Sequence, residues 1–191
     1  MKKFTALFLA LVIFAGLGLT GCQKAGAEYI VLADALAQEE YAIGFRKADR
    51  ALCAEVERIL GEMKEDGTIA KIDKEWFGKE TNIFDVSKAI TDATDGSLEK
   101  VKQAGKFILG LDDSFPPMGY RDDDNTIVGY DIDLAKEVCK RMGVELVLQP
   151  IAWAANEQEI NSGNIDCIWN GFTTNAERRE ALCVSTPYLT N

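Results

Sequence analysis

Histidine is absent from the 191 residues of this sequence. Its absence removes the commonest general base, the Ser/His and Cys/His pairs of nucleophilic catalysis and most zinc sites. No CxxC spacing occurs among the five cysteines, so neither a thiolate metal site nor a dithiol redox motif is indicated. We therefore expect a non-enzymatic protein with no metal and no cofactor.

Positive charge is also scarce, because 21 Lys and Arg residues face 31 Asp and Glu residues for a formal net charge of −10. A surface of this sign repels phosphate backbones instead of neutralising them. Nucleic acid is therefore excluded as an expected partner.

A long hydrophobic run occurs only at the amino terminus, where Lys2 and Lys3 precede the apolar stretch 4–19. A membrane-spanning helix needs about 20 apolar residues, whereas this stretch ends at Leu19-Thr20-Gly21-Cys22, which reads as a lipobox. We expect residues 1–22 to be a lipoprotein signal peptide and Cys22 to be lipidated after cleavage, which would anchor the chain outside the cytoplasm on the cell membrane. The alternative is a secreted protein with a chance cysteine at its cleavage site.

The remaining residues are enough for one domain with a real core. Four further cysteines could form two disulfides in any of three pairings, but each lies in an apolar pattern where a free thiol serves as a small hydrophobe. We favour buried thiols over disulfides for this set, which comprises Cys53, Cys139, Cys167 and Cys183.

Apolar strand patterns alternate with amphipathic helix patterns along the chain. Strands are predicted at 29–32, 41–45, 107–111, 144–148 and 165–169, and helices start near Asp49, Thr68, Ser97, Asp131, Asn156 and Asn175. Asp49 and Asp131 are predicted N-caps. Residues 79–96 are rich in small polar residues and are predicted to be a solvated linker. This order indicates an α/β fold with a mostly parallel sheet flanked by helices.

Two segments resemble a known family. The motifs GYDIDLAKEV and NIDCIWNGFT, followed by RR and STPY, make residues 97–191 similar to the amino-terminal half of family 3 solute-binding proteins. These are receptors for polar amino acids in bacterial ABC importers. The motifs EEYAIGFRK and DGTIAKIDKEWFG make residues 29–78 similar to the carboxyl-terminal stretch of the same family.

Both stretches belong to lobe 1 in that family, and here the end of the family's chain comes first. The resemblance implies a single, circularly permuted lobe of the type II periplasmic-binding-protein fold. The expected organisation is a signal peptide and lipobox at 1–22, the family's carboxyl-terminal part at 23–78, a linker at 79–96 and its amino-terminal part at 97–191.

The resemblance also implies a set of ligand-binding residues. An arginine grips the carboxylate of an amino acid, with a hydroxyl and a backbone loop beside it, and aromatic residues pack on the ligand. The matching residues are Arg178 for the carboxylate, Thr173, Asn170 and Gly171 for the loop, and Phe115 and Trp153 for the aromatic wall. Asp112 and Asp113 could face the cleft or bond locally, and Arg179 is expected to be solvated.

Two departures weaken the implied site. Acidic residues flank this tryptophan in many relatives, whereas Ala152 and Ala154 flank Trp153 here. The family's lobe 2 supplies the partner for the ligand's ammonium group, and that lobe has no counterpart in this sequence. We therefore expect only weak amino-acid binding.

The sequence thus predicts a non-catalytic amino-acid-binding lipoprotein that works with an ABC permease and provides one lobe of a cleft. One alternative is an interaction protein or non-binding remnant that docks on a transporter or on another lobe. Another is an enzyme, since a few members of the family are dehydratases or peptidoglycan lyases, but the absence of histidine argues against it.

Overall fold

The computed structural model describes residues 38–191. The predicted signal peptide, the lipidation site Cys22 and the predicted strand 29–32 lie outside the described residues. Within the described range every predicted strand and helix is present, but they do not alternate strictly: three helices follow one another between residues 50 and 104, and four strands follow one another between residues 106 and 128.

The helices begin and end close to the glycines and caps in the sequence. They are α1 (Arg50–Glu65), α2 (Thr68–Phe77), α3 (Ser97–Ala104), α4 (Tyr130–Met142), α5 (Asn156–Ser162) and α6 (Ala176–Ala181). Gly67, Gly78, Gly105 and Gly143 adopt positive φ at helix boundaries, where residues with a β-carbon are strained.

The strands form one six-stranded sheet and one three-stranded sheet. They are β1 (Glu40–Phe45), β2 (Lys106–Leu111), β3 (Ser114–Phe115), β4 (Gly119–Arg121), β5 (Ile127–Val128), β6 (Glu145–Pro150), β7 (Cys167–Thr173), β8 (Cys183–Val184) and β9 (Leu189–Thr190). The large sheet has the order β6-β2-β7-β1-β8, with β9 also paired to β1.

Strand direction in the large sheet is mostly parallel. β2 pairs with β6 and β7 in parallel, while β1 pairs with β7, β8 and β9 in antiparallel fashion. Five strands therefore run in one direction and only β1 opposes them. β1 and β2, which come from the two family segments, therefore lie in the same sheet.

Side chains on the two faces of the sheet pack against different helices. Successive residues of a strand point to opposite faces, so Cys167 and Trp169 of β7 join the main core with α1, α2 and α4, while Ile168 and Phe172 join a smaller core with Ile160 of α5. Residues from both family segments, including Phe45 and Phe107, are fully buried in the main core.

The segment 79–96, predicted to be a solvated linker, packs against the main core and forms hydrogen bonds with α1. Phe84 is fully buried in the main core, and the N–H of Ile90 donates to the buried carboxylate of Glu57 at 2.7 Å. The start of α1 is held by the same region, since Ala51 N donates to Asp95 Oδ2 at 2.8 Å. The connection therefore supplies hydrogen bonds that the first turn of a helix otherwise lacks.

Both predicted aspartate N-caps behave differently from expectation. Asp49 occupies the N-cap position of α1, but its carboxylate pairs with Arg46 at 2.5 Å and makes no capping bond. Helix α4 starts two residues earlier than an N-cap at Asp131 predicts, with Gly129 at its N-cap, and Asp131 is buried inside the first turn. Its carboxylate accepts a hydrogen bond from the backbone N–H of Gly171 instead of capping α4, so the capping prediction is wrong.

The other local expectations concern the cysteines and the loop after β2. Cys53, Cys139, Cys167 and Cys183 are all buried with free thiols, as expected for small apolar core residues. The segment that follows β2 contains β3 and β4, which form a small antiparallel sheet with β5. Among residues 38–191, no helix combines the length and apolar character that crossing a membrane requires.

Candidate functional site

A cavity of about 230 Å³ opens at the edge of the large sheet where β2, β6 and β7 end. Ligands bind at the carboxyl ends of parallel strands in open α/β sheets. The lining residues come from the loops that follow these strands, from the end of β7 and from the beginning of β1: Glu39, Tyr41, Asp112, Phe115, Trp153, Asn170, Gly171 and Thr173.

Five of the six predicted ligand-binding residues converge on this cavity. Phe115 ends the short strand β3, Trp153 begins a 3-10 turn after β6, and Asn170, Gly171 and Thr173 lie on β7. Phe115 keeps 39% of its surface exposed, so an apolar face is available to a ligand. These positions are 58 residues apart at their extremes, and the fold alone brings them together.

Gly171 adopts a left-handed backbone conformation with φ of 58°. A β-carbon at this position would lie 2.7 Å from Phe115 Cε1 and 3.3 Å from Tyr41 Cε2. Only glycine fits here without displacing an aromatic ring, and its conformation is the one that residues with a β-carbon rarely adopt. The backbone of β7 therefore approaches the cavity closely.

The backbone of Gly171 is hydrogen-bonded to Asp131 on the core side of the cavity wall. Its side chain is fully buried, and its Oδ2 accepts a hydrogen bond from Gly171 N at 2.7 Å. Burial raises the pKa of Asp131 from 3.8 to about 7, against the opposing effects of the Gly171 N–H and then of the Tyr188 hydroxyl and the Trp169 indole N–H. The carboxyl group therefore changes charge near neutral pH directly behind the cavity wall.

Asn170 brings an unused polar group to the cavity. Its side chain is 1% exposed, and neither its amide nitrogen nor its oxygen has a hydrogen-bond partner among residues 38–191. A buried amide without partners is costly. Since Asn170 also lines the cavity, a ligand that supplies a donor or an acceptor would relieve this cost.

Arg178, the predicted carboxylate grip, is not one of the residues that line the cavity. Its Nη1 donates to the carbonyl oxygen of Thr173 at 2.5 Å, and its guanidinium carbon lies 4.3 Å from the centre of the Phe172 ring. Arg178 is nevertheless half-buried beside the end of β7, whereas Arg179 is exposed as expected. Its role in carboxylate binding stays a prediction.

Two cavity residues were missed by sequence reasoning. Tyr41 pairs with Thr173 in the antiparallel ladder between β1 and β7, and this pairing also brings Glu39 to the site. Thr173 Oγ1 donates to Glu39 Oε2 at 2.9 Å. Burial, followed by the charge of Glu39, raises the pKa of Tyr41. No local pattern predicts a pairing between segments more than 130 residues apart.

The two aspartates left open by the sequence take different positions. Asp112 lines the cavity, and its Oδ1 accepts bonds from both the backbone and the hydroxyl of Ser114. Asp113 instead pairs with Arg121 at 2.6 Å. Asp112 therefore contributes its charge to the cavity, and Asp113 stabilises the β3-β4 hairpin.

A larger groove, of about 800 Å³, lies between α1, α3 and the segment 86–96. None of the predicted ligand-binding residues borders it. No three His, Cys, Asp or Glu side chains within residues 38–191 are grouped so that they could hold a metal ion. The cavity beside β7 is therefore the candidate site.

The pattern of the family "Bacterial extracellular solute-binding proteins, family 3" matches residues 9–79 and 107–191. The chain therefore belongs to this family. It is 34% identical over 96 residues to the L-cystine-binding protein TcyJ of Escherichia coli (strain K12), a match that covers 50% of this chain and 36% of that protein.

Two further comparisons illustrate the range of relatives. The chain is 24% identical over 104 residues to a cyclohexadienyl dehydratase of Pseudomonas aeruginosa, covering 54% of this chain and 39% of that protein. It is also similar to the crystal structure of a substrate-binding protein of an ABC uptake transporter from Streptococcus pneumoniae with bound histidine. The two chains are 40% identical with a TM-score of 0.43, and the match covers 44% of this chain and 34% of that one. The chain thus matches little more than a third of each relative's length.

Proposed function

We propose that this chain is a non-catalytic amino-acid-binding lipoprotein of an ABC importer and supplies one lobe of the binding cleft. The observation that carries the proposal is the convergence of five predicted ligand-binding residues on one cavity at the carboxyl ends of β2, β6 and β7. Membership of the solute-binding family supports it, as does the L-cystine-binding function in the name of TcyJ.

We also propose that the lobe is circularly permuted. The segment 29–78 resembles the end of the family's chain, yet its strand β1 lies between β7 and β8 of a sheet built otherwise from later residues. The segment 79–96 would then be the connection that permutation requires, and its bonds to α1 and to Glu57 support such a structural role.

In this proposal the α-carboxylate of the ligand lies beside Thr173 and Gly171, and Arg178 reaches it by leaving the carbonyl oxygen of Thr173. Phe115 and Trp153 cover the apolar part of the ligand. An open half-cleft leaves these contacts in water, where charge pairs are worth little. We expect a dissociation constant no tighter than about 1 mM, equivalent to about 4 kcal/mol.

The test is a titration of the purified chain from Cys22 onward with each common amino acid, followed by calorimetry or NMR. Arg178→Ala is expected to weaken binding by about tenfold, since a hydrogen bond to a charged group contributes about 1.5 kcal/mol or more. The exposed neighbour provides a matched control, and Arg179→Ala should bind like the parent chain.

Three outcomes would contradict the proposal. Micromolar binding by the lone chain refutes the half-cleft argument, and equal binding by the Arg178→Ala and Arg179→Ala variants refutes the carboxylate assignment. A cyclohexadienyl dehydratase is among the relatives, so turnover of a cyclohexadienyl substrate by the same sample would refute the non-catalytic assignment.

A further inference from the structure

We propose that Cys53 and Cys183 form a redox-active dithiol, in which Cys183 attacks small anionic disulfides and Cys53 then closes an internal disulfide that ties α1 to β8. The inference goes beyond amino-acid binding and involves none of the residues that line the candidate site. Neither cysteine belongs to a CxxC motif, so only the fold brings this pair together.

The two cysteines meet in the main core, where α1 packs against β8 at the edge of the large sheet. Cys53 lies in the first turn of α1, and Cys183 begins β8, where it pairs with Phe45 of β1. Both thiols are free, and a hydrogen bond between them raises the pKa of Cys53 and lowers that of Cys183. Burial and the charge of Glu57 oppose the lowering without cancelling it. Cys183 is therefore the nucleophile of the pair, and Cys53 keeps its proton.

Cys183 is also the thiol that a small reagent can reach. It lines a cavity of about 310 Å³ and keeps 7% of its surface exposed. Cys53 has no exposed surface and does not line this cavity. An incoming disulfide therefore meets Cys183 first, and Cys53 reacts only with a sulfur that is already bonded to Cys183.

The charge of this cavity favours an anionic reagent. The charged side chains that line it in the described part of the chain are all basic: Lys47, Arg50 and Arg179. The ammonium group of Lys47 is held near the cysteine, because it donates to the carbonyl oxygens of Arg179 at 2.9 Å and Leu182 at 3.4 Å. After the bond from Cys53, the charges of Arg50 and Lys47 are the other influences that lower the pKa of Cys183.

The reaction is a thiol–disulfide exchange in two steps. The thiolate of Cys183 attacks one sulfur of the reagent R–S–S–R, the S–S bond of the reagent breaks, and one R–S⁻ leaves as a mixed disulfide forms. Cys53 then gives up its proton and attacks the Cys183 sulfur of the mixed disulfide, which releases the second R–S⁻. Two protein thiols are oxidised to one disulfide, and the reagent is reduced to two thiols that carry the protons lost by the protein.

The experiment follows thiol oxidation in the chain from residue 22 onward, with Cys22→Ser to remove the terminal thiol from the reaction. The anionic probe is dithiobis(nitrobenzoate), whose released thiolate is coloured, and the uncharged probe is dithiodipyridine. Cys139 and Cys167 serve as internal controls, because burial raises the pKa of both thiols.

We expect the anionic probe to release two coloured thiolates per chain in a fast phase, and mass spectrometry to find a disulfide between Cys53 and Cys183 with no retained adduct. Cys53→Ala should release one thiolate and keep the adduct on Cys183, whereas Cys183→Ala should lose the fast phase. Cys139→Ala is the matched control, and it should keep both the fast phase and the internal disulfide.

The basic cavity is tested by the ratio of the two reaction rates, anionic probe over uncharged probe. The ratio cancels any change in the thiolate population of Cys183, which both probes share. Lys47→Gln should lower it about two- to fivefold, the size of effect that one exposed charge pair supports. Lys136→Gln is the matched control, since this lysine is exposed and does not line the cavity, and it should leave the ratio unchanged.

A fast phase that survives Cys183→Ala overturns the inference, and so does a parent chain in which the adduct stays on Cys183. Equally slow reaction of Cys53, Cys139, Cys167 and Cys183 overturns it as well. An unchanged ratio of rates in Lys47→Gln refutes the preference for an anionic reagent.

Discussion

The buried carboxyl group of Asp131 should make the stability of this protein depend on pH in a direction opposite to that of most carboxylates. Its side chain has no solvent exposure, and its Oδ2 accepts a hydrogen bond from Gly171 N at 2.7 Å. Burial raises its pKa from 3.8 to about 7. The substitution that isolates this effect is Asp131→Asn, which keeps an oxygen to accept the Gly171 N–H but cannot ionise.

The sign follows from proton binding. A carboxyl group with a raised pKa binds its proton more tightly in the folded than in the unfolded state, so its stabilising contribution is complete below pH 3.8 and is lost as the pH rises to about 7. A shift of roughly three pKa units corresponds to about 4 kcal/mol above neutral pH. Between about pH 5 and about pH 8, the loss amounts to roughly 2 to 3 kcal/mol.

The assay is urea unfolding of the parent chain and of Asp131→Asn at several pH values. Carboxylates with lowered pKa, such as Glu55, Asp66 and Asp85, titrate in the same way in both proteins and cancel in the difference. We expect the stability of the variant relative to the parent to increase by roughly 2 to 3 kcal/mol between about pH 5 and about pH 8.

A constant offset between the two proteins is expected, because the amide nitrogen of the variant needs a partner that the carboxylate did not. Only the change of the offset with pH reports the ionisation. Parallel profiles for the parent and Asp131→Asn would refute the reasoning.

Three further outcomes are expected. Gly171→Ala should lower the free energy of unfolding by about 1 to 2 kcal/mol, because a φ of 58° is strained for alanine and the added methyl group meets Phe115. The measurement is urea denaturation, and an unchanged midpoint would contradict the assignment of this backbone conformation. Glu57→Ala should lower the free energy of unfolding by about 2 to 4 kcal/mol, because two backbone N–H groups that donate to this carboxylate lose their acceptor. Glu62→Ala, at an exposed position of the same helix, should cost under about 1 kcal/mol. Similar losses in both variants would show that the Glu57 bonds do not hold the segment 79–96. Cys22→Ala should abolish labelling with a fatty acid and membrane association in the host, and persistent labelling would place the acyl group elsewhere.

The sequence by itself determined most of the local structure. Apolar periodicity and glycine positions predicted α1, α2 and α4 to within a few residues, and the family motifs predicted the α/β fold and five of the residues that line the cavity. These features are predictable because helix periodicity and glycine caps depend on neighbouring residues alone. A family motif can also be matched residue by residue along one loop or strand, so it identifies site residues without knowledge of the tertiary structure.

The tertiary structure alone decided how distant segments meet. The insertion of β1 between β7 and β8 brought Glu39 and Tyr41 to the cavity, and the same packing drew Asp131 away from its predicted cap to Gly171, 40 residues further along the chain. A buried hydrogen-bonding group pairs with whichever partner the completed fold places beside it, since leaving either group unpaired in the core costs about 1 to 3 kcal/mol. That choice depends on strand order and register, which local sequence patterns do not contain.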